Sequence, residues 1–247
     1  EYHETEYGFF YTNARRVGDY IWIRMHDHMV PNFSQNGAIF ENVSKVRYFG
    51  RPGLTRWVTP VDDTNTLVIA WRHFNDRDDP QRQGRPEDVG VGKTDFYGQG
   101  GEDPYEVRQD SPGDWDAWGS LGAITSHERE HLGFTDRGIS LLRRRLKKEI
   151  EALAQGVEPV APRPLEGVGV PTVGGDTVLR IPRTSEDDRE LIRRTCQAVA
   201  QAYVQTQHLP DAQRREAITA LLAPLNTADP SQINPDHGKI FEFKTVA

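Results

Sequence analysis

Between Asp114 and Ile139 the chain gathers carboxylates, imidazoles and aromatic rings into one stretch, and two metal chemistries can be read from it. His127-Glu128-Arg129-Glu130-His131 fits the zinc hydrolase spelling H-E-x-x-H. There one helical turn brings both imidazoles to the metal and the glutamate activates its water. Against this reading, Arg129 and Glu130 are both charged in a segment that must line a cleft, Gly133 comes one place early for the longer zincin pattern, and no third histidine follows. The second chemistry takes Asp114 as a carboxylate ligand of iron. A separate candidate is His26-Asp27-His28: alternate residues of a strand project to one face, so His26 and His28 could share a metal. The carboxylate such a site needs a few residues later is missing from Met29–Phe33, and a polar strand end is the plainer reading.

The elements that would hold these groups fall in order along the chain. Residues 5 to 75 read as antiparallel β structure. Tyr20-Ile21-Trp22-Ile23-Arg24-Met25 is rich in β-branched and aromatic residues, and Thr66 to Phe74 places Leu67, Ile69 and Trp71 on one face. Asn36-Gly37 and Arg51-Pro52-Gly53 mark turns, and Asp62 and Asp63 read as caps before the strand at Thr66. Residues 75 to 104 are polar and rich in breakers, a long excursion without period. From Thr135, read as an N-cap, the residues Ile139, Leu142, Leu146, Ile150 and Leu153 recur at helical spacing. Residues 157–184 read as a Pro/Gly-rich connector. Ser185-Glu186-Asp187-Asp188 opens a further helix with Ile192, Cys196, Val199 and Tyr203 as its buried stripe, and a shorter helix is expected over 211 to 223.

Composition narrows the function classes. Among 247 residues, 37 acidic against 30 basic side chains leave a formal net charge of -7, which argues against a general nucleic-acid surface. The basic run Arg143 to Lys148 reads as a solvated helix face. No run approaches the roughly 18 apolar residues of a membrane helix, so no membrane partner and a cytoplasmic location are expected. The single cysteine, Cys196, excludes an internal disulfide and any CxxC metal site within this sequence.

Three blocks carry a resemblance. Trp57-Val58-Thr59-Pro60-Val61-Asp62-Asp63-Thr64-Asn65-Thr66-Leu67, then Asp114 to Ile124, then Glu130 to Ile139 followed by Leu142-Arg143-Arg144 resemble, in the same order, the catalytic domain of Rieske non-haem iron oxygenases. The phthalate dioxygenase-like and aryl O-demethylase-like α subunits are the branch they are most similar to. The resemblance runs from about Glu6 to Leu153. It implies an α+β helix-grip domain, a curved antiparallel sheet around a long helix, over residues 1–156, with residues 185–247 as a helical C-terminal extension. It also implies a mononuclear Fe(II) held by two histidines and one carboxylate, and a Rieske 2Fe-2S cluster fed by a ferredoxin or reductase. In this branch the carboxylate precedes a Ser-x-Gly-x-Ile segment by six residues, which selects Asp114 with Asp116 and Asp110 as neighbours left open. The histidine ligands and the cluster motif lie upstream of the matched portion, so the resemblance implies a C-terminal part cut after its histidines. O2 and a small aromatic substrate are the implied reactants, hydroxylation or O-demethylation the implied reactions, and a homo-oligomer, a trimer in the family, the implied assembly. Tyr20, Trp22 and Trp71 are candidate substrate walls, although core packing is the plainer reading of each. Two other functions stay open: a metal-free helix-grip binding module, and the zinc hydrolase.

Overall fold

The computed structural model describes residues 1–38, 43, 45–73, 87, 104–110, 112–185 and 187–226. Its strands are β1 (Tyr2–Thr5), β2 (Gly8–Val17), β3 (Tyr20–Met29), β4 (Phe33–Asn36), β5 (Arg47–Gly50), β6 (Leu54–Pro60), β7 (Thr66–Arg72) and β8 (Gly175–Arg180). Its helices are α1 (Tyr105–Asp110), α2 (Asp114–Gly119), α3 (Arg137–Ala154), α4 (Asp188–Thr206) and α5 (Asp211–Leu222). The strands form one sheet in which every described pairing is antiparallel. None of the described helices is long and apolar enough to cross a membrane.

β3 is the spine. Along one edge it pairs with β2 from Tyr20 to Met29, through a two-residue turn in which Gly18 takes a φ of 58°, a conformation glycine adopts without a Cβ clash. The other edge is shared. Tyr20–Met25 pairs with β8, and Asp27–Met29 pairs with β4. The sheet therefore forks at His26, one limb running through β4 to β6 and β7 and the other through β8 to β5.

Alternation along β3 sends Ile21, Ile23 and Met25 to one face, where they join Phe10, Leu179 and Ile181 under α4. Leu191, Thr195, Val199 and Tyr203, four residues apart on α4, are all fully buried, and Ile218 and Leu222 of α5 close the same core. The start of α4 is tied down twice. Asp187 accepts from the Arg189 backbone N–H at 3.0 Å, and Arg16 of β2 forks the Asp188 carboxylate at 2.5 to 2.9 Å. Of the stripe expected on this helix, Cys196, Val199 and Tyr203 are buried, whereas Ile192 is half-buried and Leu191 takes the buried place beside it.

α3 meets the other face at the β1 edge, and here the structure departs from the reading of the sequence. The helix touches the sheet through Gly138, Leu141 and Arg145, whose guanidinium donates to the Glu6 carbonyl at 2.6 Å. The apolar residues that announce it are turned away: Ile139, Ile150 and Leu153 are exposed, and Leu142 and Leu146 are half-buried. The helix starts at Arg137 rather than Thr135, with the Asp136 carboxylate accepting from the Gly133 N–H. Among the described helices, the one buried along the sheet is α4.

A second departure lies in the stretch read as connector. Residues 175–180 form β8, buried from Gly175 to Leu179 between β3 and β5. The glycines that suggested a breaker are close-approach glycines. A Cβ on Gly175 would come within 2.5 Å of the Gly50 carbonyl oxygen and 2.8 Å of the Tyr203 ring. The excursion at 75 to 104 lies outside the described residues apart from Glu87 and Pro104, as does the tail beyond Asn226.

Candidate functional site

The zinc reading fails on backbone geometry. His127–Arg129 form a single 3-10 turn and Glu130 is extended at ψ 135°, so His127 and His131 do not stand one α-helical turn apart. His127, Glu128 and His131 are exposed. Glu130 is engaged elsewhere, accepting two hydrogen bonds from Arg143 at 2.6 Å, and this partner holds its carboxyl below the usual range.

Asp114 is the first residue of α2, and its side chain lies outside the described residues. Its two neighbours are clearer. Asp116 accepts from the Gly113 backbone N–H at 2.9 Å and from Arg108 at 2.5 Å, one partner on each oxygen, and these bonds depress its pKa. That carboxylate caps its own helix and pins α1 to α2. Asp110 is an exposed residue ending α1.

The histidines of β3 sit on the face opposite α4. In register across the strands, Tyr2, Tyr11 and His26 form one row; Glu4, Phe9, His28, Ser34 and Arg56 form the next. Tyr11 stacks on His26 with centroids 4.5 Å apart and planes 9° from parallel, and Phe9 stacks on His28 at 4.9 Å and 11°. Both imidazoles are held neutral, His26 to about pH 3 and His28 to about pH 4, first by burial and then by the cations of Arg24 and Arg56 for His26 and of Arg56 for His28. Arg56 donates to Ser34 Oγ at 2.9 Å. Among the described residues no group of three His, Cys, Asp or Glu side chains could hold a metal ion.

The three proposed wall aromatics do not come together. Tyr20 and Trp22 share the His26 face, whereas the register Asp27–Gln35–Thr55–Trp71 puts Trp71 on the opposite one. Trp71 is 64% exposed and meets Trp57 edge-on at 6.0 Å. Trp22 has structural partners: its indole donates to Asp176 at 3.4 Å, and Arg15 and Arg24 lie 5.1 and 5.3 Å from its ring centroid.

Two buried carboxylates escaped the sequence reading. Asp27 accepts from the backbone N–H groups of Val173 and Gly174, and burial raises its pKa to about 6. Asp176 is paired with Arg47 beneath Trp22, its pKa likewise raised by burial. Asp62 does cap the turn before β7, accepting from the Thr64 and Asn65 N–H groups at 2.8 Å.

No family model matches the chain. Over 214 residues, 84% of the chain and 45% of the relative, it is 37% identical to the oxygenase subunit of the tert-butanol monooxygenase / tert-amyl alcohol desaturase of Aquincola tertiaricarbonis. It is 33% identical over 128 residues, 50% of the chain and 29% of the relative, to phenoxybenzoate dioxygenase subunit alpha of Ectopseudomonas oleovorans. It is 25% identical over 191 residues, 72% of the chain and 40% of the relative, to the 5,5'-dehydrodivanillate O-demethylase oxygenase subunit of Sphingobium sp. (strain NBRC 103272 / SYK-6). The chain spans less than half the length of each of these relatives, and what they share in name is that each is a subunit of an oxygenase.

Proposed function

We propose that this chain is the C-terminal part of a Rieske non-haem iron oxygenase α subunit that uses O2 and NAD(P)H-derived electrons to hydroxylate or O-demethylate an aromatic compound. One observation carries the oxygenase part of the reading, 37% identity to an oxygenase subunit over 84% of the chain; the aromatic substrate is supported by the names of the other two relatives. The three sequence blocks in family order support it. In this reading residues 1–156 belong to a helix-grip catalytic domain, Asp114 is the carboxylate ligand of the mononuclear iron, and the subunit assembles as a homo-oligomer served by a ferredoxin or reductase.

The described residues do not make up either iron centre. They hold no three-residue ligand group, and the one thiol, Cys196, lies in the apolar core with burial pushing it up to about 11, far from the thiolate a cluster needs. In this proposal the two imidazoles and the cluster ligands belong to other parts of the subunit. Bound iron would supply O2 activation. This chain's own contribution is an anionic oxygen at Asp114 and a substrate wall on the His26 face, where neutral rings and stacked aromatics keep water from a bound ring.

The test is turnover by the full-length protein with a reductase, NADH and a panel of aromatic acids and aryl methyl ethers. O2-dependent formation of a hydroxylated or demethylated product, lost in Asp114→Ala, is expected. An iron-free protein that binds the panel without converting any member would replace the reading with a metal-free binding module.

A further inference from the structure

We propose that Asp27 is a proton-operated latch at the fork of the sheet: it holds the chain at Val173 and Gly174 to β3 while it carries a proton shared with Gln35, and loosens that hold when the proton leaves. The latch lies on the face of β3 packed under α4 and α5, and it stands apart from the oxygenase reading because it needs neither iron nor substrate.

The fork leaves a gap in the strand pairing that this side chain closes. β8 pairs with β3 as far as Met25, and β4 takes over from Asp27. The chain leading into β8 therefore passes Asp27 without a ladder, and the N–H groups of Val173, at 2.8 Å, and Gly174 both donate to the buried Asp27 Oδ2 instead. Gln35 stands opposite Asp27 on β4. Its Nε2 donates to Thr55 Oγ1 at 3.2 Å, while its Oε1 is sealed from solvent without a hydrogen-bond partner. A Cβ on Gly174 would lie 3.0 Å from Asp27 Oδ2 and 3.0 Å from Gln35 Oε1, so the two groups flank the same glycine. Two acceptors that meet in a dry interior with no donor between them need a proton. As a neutral acid, Asp27 donates its O–H to Gln35 Oε1 and still accepts the two N–H groups.

The groups packed around Asp27 favour that form. Among the described residues the charged group that acts on it is Arg214 of α5, which draws it toward the carboxylate. β4 and β6 present the uncharged Gln35 and Thr55, and residues 173 and 174 present backbone. α4 presents Tyr203, kept neutral by burial, its hydroxyl donating to the Asp176 carbonyl, and the Asp176 carboxylate is paired with Arg47. Burial outweighs Arg214 and lifts the Asp27 pKa to about 6, from 3.8 in water. Closing the latch therefore takes up a proton. The hold is full in acid and is lost as pH rises through about 6. β4 carries the consequence to the other side of the sheet: Ser34, next to Gln35, accepts the Arg56 hydrogen bond beside His28.

Hydrogen exchange on the full-length protein, followed by mass spectrometry between about pH 5 and about pH 7 and corrected for the intrinsic pH dependence of exchange, reads the latch directly. In the wild type the protection of the Val173 and Gly174 amides is expected to fall about tenfold from the lower pH to the higher, the change that a pKa of about 6 when closed and 3.8 when open carries over that interval. Asp27→Asn, whose side-chain amide stands in for the neutral acid by accepting the two N–H groups and donating to Gln35 Oε1, should keep the same protection throughout. Gln35→Met removes the acceptor for the proton, so its protection should fall at a lower pH than in the wild type. Melting curves identify any variant that fails to fold, and the wild-type profile then decides by itself. Wild-type protection that is level or rises with pH, an equal loss in Asp27→Asn, or an unmoved or higher midpoint in Gln35→Met overturns the proposal. No turnover is measured, so either result leaves the oxygenase reading standing.

Discussion

Buried titratable side chains give this protein two opposing responses to acid. An unfolded histidine takes its proton near 6.5, whereas burial keeps His3 neutral to about 4, His26 to about 3 and His28 to about 4. Below 6.5 the unfolded chain therefore binds more protons, and stability is lost as pH falls toward 4. Asp27 acts the other way. Its folded pKa of about 6 lies above the ordinary 3.8, so the native state holds the extra proton between those values and the contribution of Asp27 falls as pH rises through them. Asp176, also raised by burial, acts in the same direction as Asp27; three imidazoles against two carboxyls leave a net loss on acidification, to be read from urea melts at about pH 7 and about pH 4. Asp27→Asn keeps an acceptor oxygen for the Val173 and Gly174 N–H groups and removes the titration. Relative to wild type its stability should shift in its favour by up to about 3 kcal/mol as pH rises from about 4 to about 7. A wild type that gains stability on acidification, or an Asp27→Asn difference independent of pH, contradicts this account.

The elements differ in how openly the sequence declares them. Most of the buried stripe of α4 was legible, because Cys196, Val199 and Tyr203 are apolar at helical spacing and meet one sheet face; Ile192, read with them, sits at its margin. β8 was not, because Gly174 and Gly175 look like a breaker until the neighbours that crowd them are known. α3 lies between these cases: its period announced a helix, but a glycine rather than a large apolar residue decides which side meets the sheet. A Cβ at Gly138 would fall 2.1 Å from the Tyr2 ring, whose hydroxyl donates to the Thr135 carbonyl at 2.7 Å. Gly138→Val should therefore destabilise by about 1 to 3 kcal/mol through overpacking, and Tyr2→Ala in the same chain should recover part of that loss. Additive effects of the two substitutions in urea melts would place α3 elsewhere. For the candidate site, the paired histidines were visible by their spacing, whereas Arg56 was not, because it reaches them only through the β3–β4–β6 register.

At the scale of the whole molecule, apolar burial is uneven. One core under α4 and α5 holds most of the large buried side chains, while both faces of β7 are open, with Leu67 53% and Ile69 48% exposed beside Trp71. In the protein as described, Leu67→Lys and Ile69→Lys should each change stability by less than about 0.5 kcal/mol, as exposed substitutions do. A large destabilisation in the full-length protein would mean that this strand is covered there. The central claim reduces to one carboxylate, since the cap at Asp116 is already occupied and Asp110 is an exposed helix end. Iron quantification on the full-length protein decides it: Asp114→Ala is predicted to lose the mononuclear iron while retaining the visible absorbance of the cluster, and Asp116→Ala to retain both. Full iron content in Asp114→Ala would contradict the account.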